Sequence, residues 1–374
     1  MINNAHLPLK QLSKNLTATE IILVTNPTNI YYLTNFRTFS LNLHEAYLVI
    51  FCNQTYLFTY FVNLENAQKF NNIAKIVEIS NYRDFIKKLK KLTNTTKINK
   101  LYLEENNVWF NEYRLLKKSF PRVNFLTTKR IDKLRSLKTP KEIKSIRKAC
   151  LITDKCYEFI LKYIKTGITE ELLSKKIRLF FIKKGLDIAF PPIVAFGTNS
   201  SNPHHIPSKA KILKKESVIL LDIGTQLDGY CSDMTRTLYF GKNPSKTIQK
   251  AYKTVQIAQN KAIDILTSQK VPFYNKKKEG YSGKMLDKLA KSVINKTGFK
   301  PYKHSLGHSI GLEIHEYPKL TEKRDALITP QMVFSIEPAI YVPNEFGIRI
   351  EDTVYLDDQG LEILTKSPKS FMIR

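Results

Sequence analysis

Short apolar runs recur through roughly the first 128 residues, and their spacing predicts alternating strands and helices. Glu20–Val24, Ala46–Phe51, Tyr56–Phe61, Lys75–Ile79 and Lys100–Leu103 read as strands. Asp84–Leu92 and Val108–Lys118 carry apolar residues at helical spacing. That order predicts an α/β domain with a mixed sheet. A boundary follows, where Thr139-Pro140-Lys141-Glu142 has the form of a capping box with proline at the first helical position. Ile143, Ile146, Cys150, Tyr157, Ile160 and Ile164 then mark one face of a long helix that Gly167 should end. Cys150 on that stripe is expected to be a core residue. A second helix is expected from Thr169 to Lys184, with Leu172, Phe180 and Phe181 inward, and two more at Ser245–Ser268 and Gly283–Lys296. Strands and glycine turns lie between them. The expected fold class is α+β: an N-terminal α/β domain over residues 1–130, and a domain over residues 131–374 with helices on one side of a largely antiparallel sheet.

Composition narrows the function classes. The chain has 374 residues, 43% hydrophobic and 25% charged, which suits two folded domains and excludes dominant disorder. No apolar run approaches the ~18 residues of a membrane-crossing helix, and the first residues do not read as a signal peptide. The formal charge of +27 would favour a nucleic-acid partner if it were concentrated. Instead lysines are spread along the chain, and runs such as Lys87-Lys88, Lys90-Lys91 and Lys276-Lys277-Lys278 read as solvated helix faces or a loop. Neither a nucleic acid nor a membrane is expected as partner. Cys52, Cys150, Cys156 and Cys231 show no paired spacing and read as reduced thiols of a cytoplasmic protein. His6 and His44 stand alone and read as ordinary surface or packed histidines.

The unusual chemistry lies in the second domain. One segment runs Ser217-Val-Ile-Leu-Leu-Asp222-Ile-Gly-Thr, turns near Leu227-Asp228-Gly229, and returns through Tyr230-Cys-Ser-Asp233-Met-Thr-Arg236-Thr. A second runs Met332-Val-Phe-Ser-Ile-Glu337-Pro-Ala, turns at Pro343-Asn344-Glu345, and returns through Gly347-Ile-Arg349-Ile-Glu351-Asp352. Each reads as a β-hairpin. Folding the first between Leu227 and Asp228 sets Asp222 opposite Asp233; folding the second about Asn344 sets Glu337 opposite Glu351. Opposed Cβ atoms on one face lie ~4.5–5.5 Å apart, and two carboxylates that close cannot both ionise without a cation. Asp228, Glu345 and Asp352 fall in turns or on the alternate face and are expected to be ordinary surface acids.

Between the hairpins lies His304-Ser-Leu-Gly307-His308-Ser-Ile-Gly311-Leu-Glu313-Ile-His315. Its glycines argue against a helix and for close backbone approach. One histidine added to four carboxylates makes an oxygen-rich donor set, suited to Mn2+ or a similar divalent ion. Two such ions would match it.

These residues resemble a family. Asp222, Asp233 in Ser-Asp-Met-Thr-Arg-Thr, His308, Glu337 in Ser-Ile-Glu-Pro and Glu351 in Gly-Ile-Arg-Ile-Glu-Asp look like the five metal ligands of the pita-bread metallopeptidases, peptidase family M24. That family includes Xaa-Pro dipeptidase (prolidase), aminopeptidase P and methionine aminopeptidase. Leu134-Arg-Ser-Leu-Lys-Thr-Pro-Lys-Glu-Ile resembles the join between domains of the proline-specific members, and Asn29-Ile-Tyr-Tyr-Leu-Thr-Asn-Phe resembles part of their N-terminal domain. The resemblance implies a creatinase-like N-terminal domain and a C-terminal pita-bread domain with pseudo-two-fold symmetry.

It also implies that Asp222 chelates one ion, that His308 and Glu337 chelate the other, and that Asp233 and Glu351 bridge them. The ions would be Mn2+ first, with Co2+ or Zn2+ as alternatives. His204 resembles a substrate-binding histidine, while His315 and His304 resemble those that stabilise the reacting amide and line the cleft. Arg349 and Tyr341 resemble accessory substrate-binding residues. Arg349 could grip a free carboxylate or anchor a neighbouring ligand, and both readings stay open. Glu337 is the candidate to move the proton. The expected substrate is a peptide with an Xaa-Pro bond, dipeptides favoured, with aminopeptidase P action on longer peptides or a non-catalytic binding role as rivals. A homodimer is expected by analogy with the family.

Overall fold

The computed structural model describes residues 7–40, 43–94, 97–268, 274–275 and 280–373. His6 and Lys276-Lys277-Lys278 lie outside the described residues. The chain divides into two compact units, Met1–Arg135 and Ser136–Arg374.

The first unit is built on six strands: β1 (Glu20–Val24), β2 (Ala46–Ile50), β3 (Thr55–Tyr60), β4 (Lys75–Ile79), β5 (Lys100–Leu103) and β6 (Asn124–Thr127). Their order is β4-β3-β2-β1-β5-β6. The β1–β2 and β2–β3 pairs are antiparallel and the others parallel, so the sheet is mixed. Alternation sends Ile22 and Val24 into one apolar core and Ile21 and Leu23 into another. Both faces are therefore covered, which explains the unbroken apolar run. Phe61 does not extend β3; it opens a helix, Phe61–Gln68, and its ring is exposed. The sixth strand was not anticipated because it is only half buried and has polar ends.

In the second unit the long helix spans Pro140–Leu161, and the capping box forms: Thr139 N donates to Glu142 Oε2 at 2.7 Å. The helix ends before Gly167, and Ile164 packs into the core from the turn that follows. In the next helix, Glu170–Ile182, the buried face is Leu173, Ile177 and Phe181. Leu172 is exposed, contrary to expectation, because one helical position rotates a side chain by about 100° away from that stripe.

Among the described residues, two larger sheets and three smaller ones carry the rest. In the first, Ile193–Phe196, Ser217–Ile223 and Met234–Phe240 pair antiparallel, and Met372–Ile373 adds in parallel. The second joins Gly307–Ser309, Glu316–Leu320, Met332–Ile336, Asp352–Leu356 and Leu361–Ile363, all antiparallel. Helices Lys246–Thr267 and Gly283–Asn295 share a core with the second sheet through Ala251, Val255, Ala258 and Leu286 against Phe334, Ile336 and Val354. The first two helices share a core with the first sheet. Among the described residues, no helix is long and apolar enough to cross a membrane.

Candidate metal centre

The two acidic hairpins meet, but with different registers. In the first, Asp228 and Gly229 both take positive φ and form the turn, as an Asp-Gly pair favours. Asp222 therefore pairs with Thr235, not with Asp233 as expected. The two-residue shift preserves the face, because side chains alternate with period two. Asp233 stays on the Asp222 side as a diagonal neighbour. Around it the ladder is irregular: Ser232 carbonyl fills the space that a Cβ on Gly224 would need, and Asp233 N donates to Thr353 Oγ1 at 3.2 Å. The second hairpin keeps the expected register, since the flanking pairs Ile336 with Asp352 and Ala339 with Arg349 set Glu337 across from Glu351. Glu351 N donates to Thr235 O at 3.1 Å and joins the hairpins.

His308 arrives on the Gly307–Ser309 strand. Ser335 carbonyl fits over Gly307 where any Cβ would collide, and His308 N donates to Ser335 Oγ at 3.1 Å. His308 Nε2 then lies 3.4 Å from Glu337 Oε1 and 3.7 Å from Asp233 Oδ2. Donor atoms of Asp233, His308 and Glu351 all fall within 4.8 Å of one another.

Electrostatics mark the same cluster. Burial first, then neighbouring carboxylates, raise Asp233 and Glu337 well above the ordinary carboxylate range. Burial, with Asp222 next, pushes Glu351 up to about 8. Burial lowers His308 to about 3, which keeps its imidazole neutral and able to ligate. Asp222 Oδ1 and Asp233 Oδ1 are buried without a hydrogen-bond partner, a costly state for acceptor-only groups. A cation between the hairpins would satisfy both. The donor set thus fits divalent metal.

The remaining expected residues surround this cluster. His315 stacks edge-on against His308, ring centroids 4.3 Å apart. His304 Nδ1 donates to Ser305 O at 2.8 Å, leaving Nε2 to accept from Tyr341 hydroxyl at 3.3 Å. His204 is exposed and lines the cavity over the cluster, about 710 Å³ in volume. His205 beside it contacts Glu170 Oε2 at 2.7 Å. Arg349 is buried, and its guanidinium donates to Asp222, Tyr341 and Thr235. Cys231 is buried, packed near Ile310 and Val333.

Asp352 corrects an expectation. It is fully buried and ion-paired with Arg236 at 2.7 Å and Lys369 at 2.6 Å. It does point to the face opposite Glu351, but that face is the protein core. Sequence reasoning also missed Thr235, whose hydroxyl donates to Glu351 Oε2 at 2.6 Å. Its signal was available: Thr235 follows Asp233 at the strand period.

Residues 144–358 match the model of metallopeptidase family M24, and residues 9–137 match the creatinase/prolidase N-terminal domain. A protein of Mycoplasma genitalium described as a putative Xaa-Pro aminopeptidase is 34% identical over 97% of both chains. Among solved structures, an Xaa-Pro dipeptidase from Bacillus anthracis superposes with TM-score 0.86 at 31% identity, covering 99% of this chain and 100% of that one. An X-Pro aminopeptidase from Thermotoga maritima superposes with TM-score 0.80 at 30% identity, covering 97% and 100%. With residues 144–358 matching the M24 model behind a creatinase-type N-terminal unit, and with a relative 34% identical along nearly its whole length, the chain belongs to metallopeptidase family M24.

Proposed function

We propose that this protein hydrolyses Xaa-Pro peptide bonds, with dipeptides favoured. The observation that carries the reading is the pair of orphaned buried oxygens, Asp222 Oδ1 and Asp233 Oδ1, within a cluster of His308, Glu337 and Glu351. Asp222 would hold one divalent ion, His308 and Glu337 the other, with Asp233 and Glu351 shared. Bound there, the ions would acidify a water toward neutral pH and polarise the scissile carbonyl.

The chain's own groups complete the chemistry. Glu337 takes the proton of the attacking water and passes it to the prolyl nitrogen. Its oxygens lie 3.4 Å from His308 Nε2 and 3.9 Å from His304 Nδ1, so it faces the cluster and the cleft together. His204 and His315 donate to the oxyanion and the substrate termini. Burial lowers His304 to about 4, which keeps it neutral beside the reacting amide. Arg349 and Tyr341 act from behind, holding Asp222 and His304 in place. An Xaa-Pro bond is a tertiary amide without N–H, so its recognition rests on cavity shape, to which Phe190, Pro191, Pro192 and Ile193 contribute apolar walls.

Arg178, Lys303, Lys319 and Lys323 also line the cavity and supply positive charge for the free carboxylate of a dipeptide. The cavity volume, within the range that takes drug-sized ligands, favours a second reading: aminopeptidase P action on longer peptides. The test is hydrolysis of Xaa-Pro dipeptides, Xaa-Pro-Xaa tripeptides and longer peptides by Mn2+-loaded protein. Faster dipeptide cleavage is expected. Equal or faster release of the first residue from longer peptides would select the second reading, and no cleavage of any prolyl peptide with metal bound would overturn both.

Mn2+ as the preferred ion is supported by the oxygen-rich donor set. A homodimer is supported by the exposed Phe39, Phe61, Val62 and Phe110 of the first unit, apolar groups that association would cover. Sedimentation analysis tests it. A cytoplasmic location is supported by four cysteines that are all free thiols.

A further inference from the structure

A buried ion pair that takes no part in the chemistry above sits directly behind the two neighbouring histidines. Lys138 Nζ lies 3.0 Å from Glu316 Oε2, and both side chains are almost completely shielded from solvent. The ammonium also donates to Ser309 Oγ at 3.3 Å. Ser309 follows His308 and Glu316 follows His315, and the two are cross-strand partners at a break in the ladder register. One ammonium thus touches the residue next to each histidine.

The carboxylate does the rest of the closure. Glu313 N donates to Glu316 Oε1 at 3.2 Å, and the same carboxylate occupies the space that a Cβ on Gly311 would need. Residues 310–315 therefore wrap around the Glu316 carboxylate, and the turn ends with His315 against His308. On its other side Lys138 belongs to a fixed segment: its N donates to Gln331 O at 2.8 Å, Leu137 bridges to Met332, and Thr139 caps the long helix. A buried ion pair gains little stability over apolar residues of the same volume, because desolvation offsets the attraction. Its geometric constraint is the property that an apolar pair would lack.

We infer that Lys138 and Glu316 are positioning residues, which hold the 309–316 turn so that His315 is aimed at the reacting amide beside His308. This rests on the peptidase reading above. Without the pair the turn still forms but His315 is misplaced. Misplacement of a catalytic group by about 1 Å costs on the order of 10²-fold in rate.

The test compares Mn2+-loaded parent protein with Glu316→Gln, Lys138→Met and the double variant Lys138→Met/Glu316→Leu. The double variant removes both charges and avoids stranding either. It is expected to melt near the parent temperature and bind as many ions. Its kcat should fall about 10²-fold with KM little changed, and amide hydrogen exchange over 311–316 should quicken in substrate-free protein. Parent kcat together with parent exchange in the double variant would overturn the inference. Should that variant not fold, Glu316→Gln decides: a lower kcat at unchanged KM supports positioning, and parent kcat overturns it. A parent protein that cleaves no prolyl peptide would overturn the peptidase reading alone, since the exchange comparison still reports on the turn.

Discussion

Arg349 donates through Nη2 to Asp222 Oδ2 at 2.7 Å, with Asp222 Oδ1 left unbonded beside it. The guanidinium uses its other nitrogens on Tyr341 hydroxyl at 2.6 Å and Thr235 Oγ1 at 3.1 Å. Of the two readings open in the sequence, these contacts favour an anchor that fixes which Asp222 oxygen faces the cluster. Arg349→Met should therefore lower kcat and weaken metal binding by about tenfold or more, with little change in KM for an Xaa-Pro dipeptide. A rise in KM alone would return Arg349 to gripping the substrate carboxylate.

Asp233 should be indispensable. It is buried, faces His308 at 3.7 Å and is pressed by three neighbouring carboxylates. Parent protein is expected to bind about two ions per chain, the count that its donor set suits. Asp233→Asn should lose metal binding and hydrolysis together, measured by elemental analysis and turnover. Full turnover in that variant would remove the shared-ligand role.

His315 should behave differently. It stacks on His308 without belonging to the donor cluster. His315→Ala is expected to bind metal as the parent does and to lose about 10²–10³ in kcat, the usual effect of removing one transition-state donor. An unchanged kcat/KM would make it a packed histidine.

The raised carboxylates give the metal-free protein a pH signature. Glu351 moves from the usual 4.5 to about 8, and Asp233 and Glu337 move in the same direction. The folded state thus holds protons that the unfolded chain has already released, so stability is full below about pH 4 for these groups and is lost as pH rises toward 8. Metal requires the ionised forms and competes with those protons. Melting temperature without metal should fall between about pH 5 and 8.5, and Mn2+ should raise it more at the upper end. A stabilisation by Mn2+ that is equal at both ends would contradict the raised values.

Much of this protein was readable locally. Periodicity located the strands from Glu20–Val24 to Lys100–Leu103 and the helices Pro140–Leu161, Lys246–Thr267 and Gly283–Asn295. Two turn signals and the acids around them located the carboxylates that now cluster, because alternation and turn chemistry are properties of a few consecutive residues. Tertiary structure decided what depends on distant partners. The first hairpin turns at Asp228-Gly229, one step beyond the expected centre, where both residues accept positive φ and Leu227 would not. Asp352 looked like an exposed acid until Arg236 and Lys369 converged on it from other strands and loops. Glu170 and His205 are separated by 35 positions, and Lys138 and Glu316 by 178. No local pattern marks such pairs, because a charge is tolerated in a core only when folding delivers its counter-charge. The sequence alone determined which carboxylates flank the two turns and on which strand faces they lie, and which histidines fall between the hairpins. Packing of one hairpin against the other determined which oxygens converge, which acids are neutralised by arginine or lysine, and which are left for a metal.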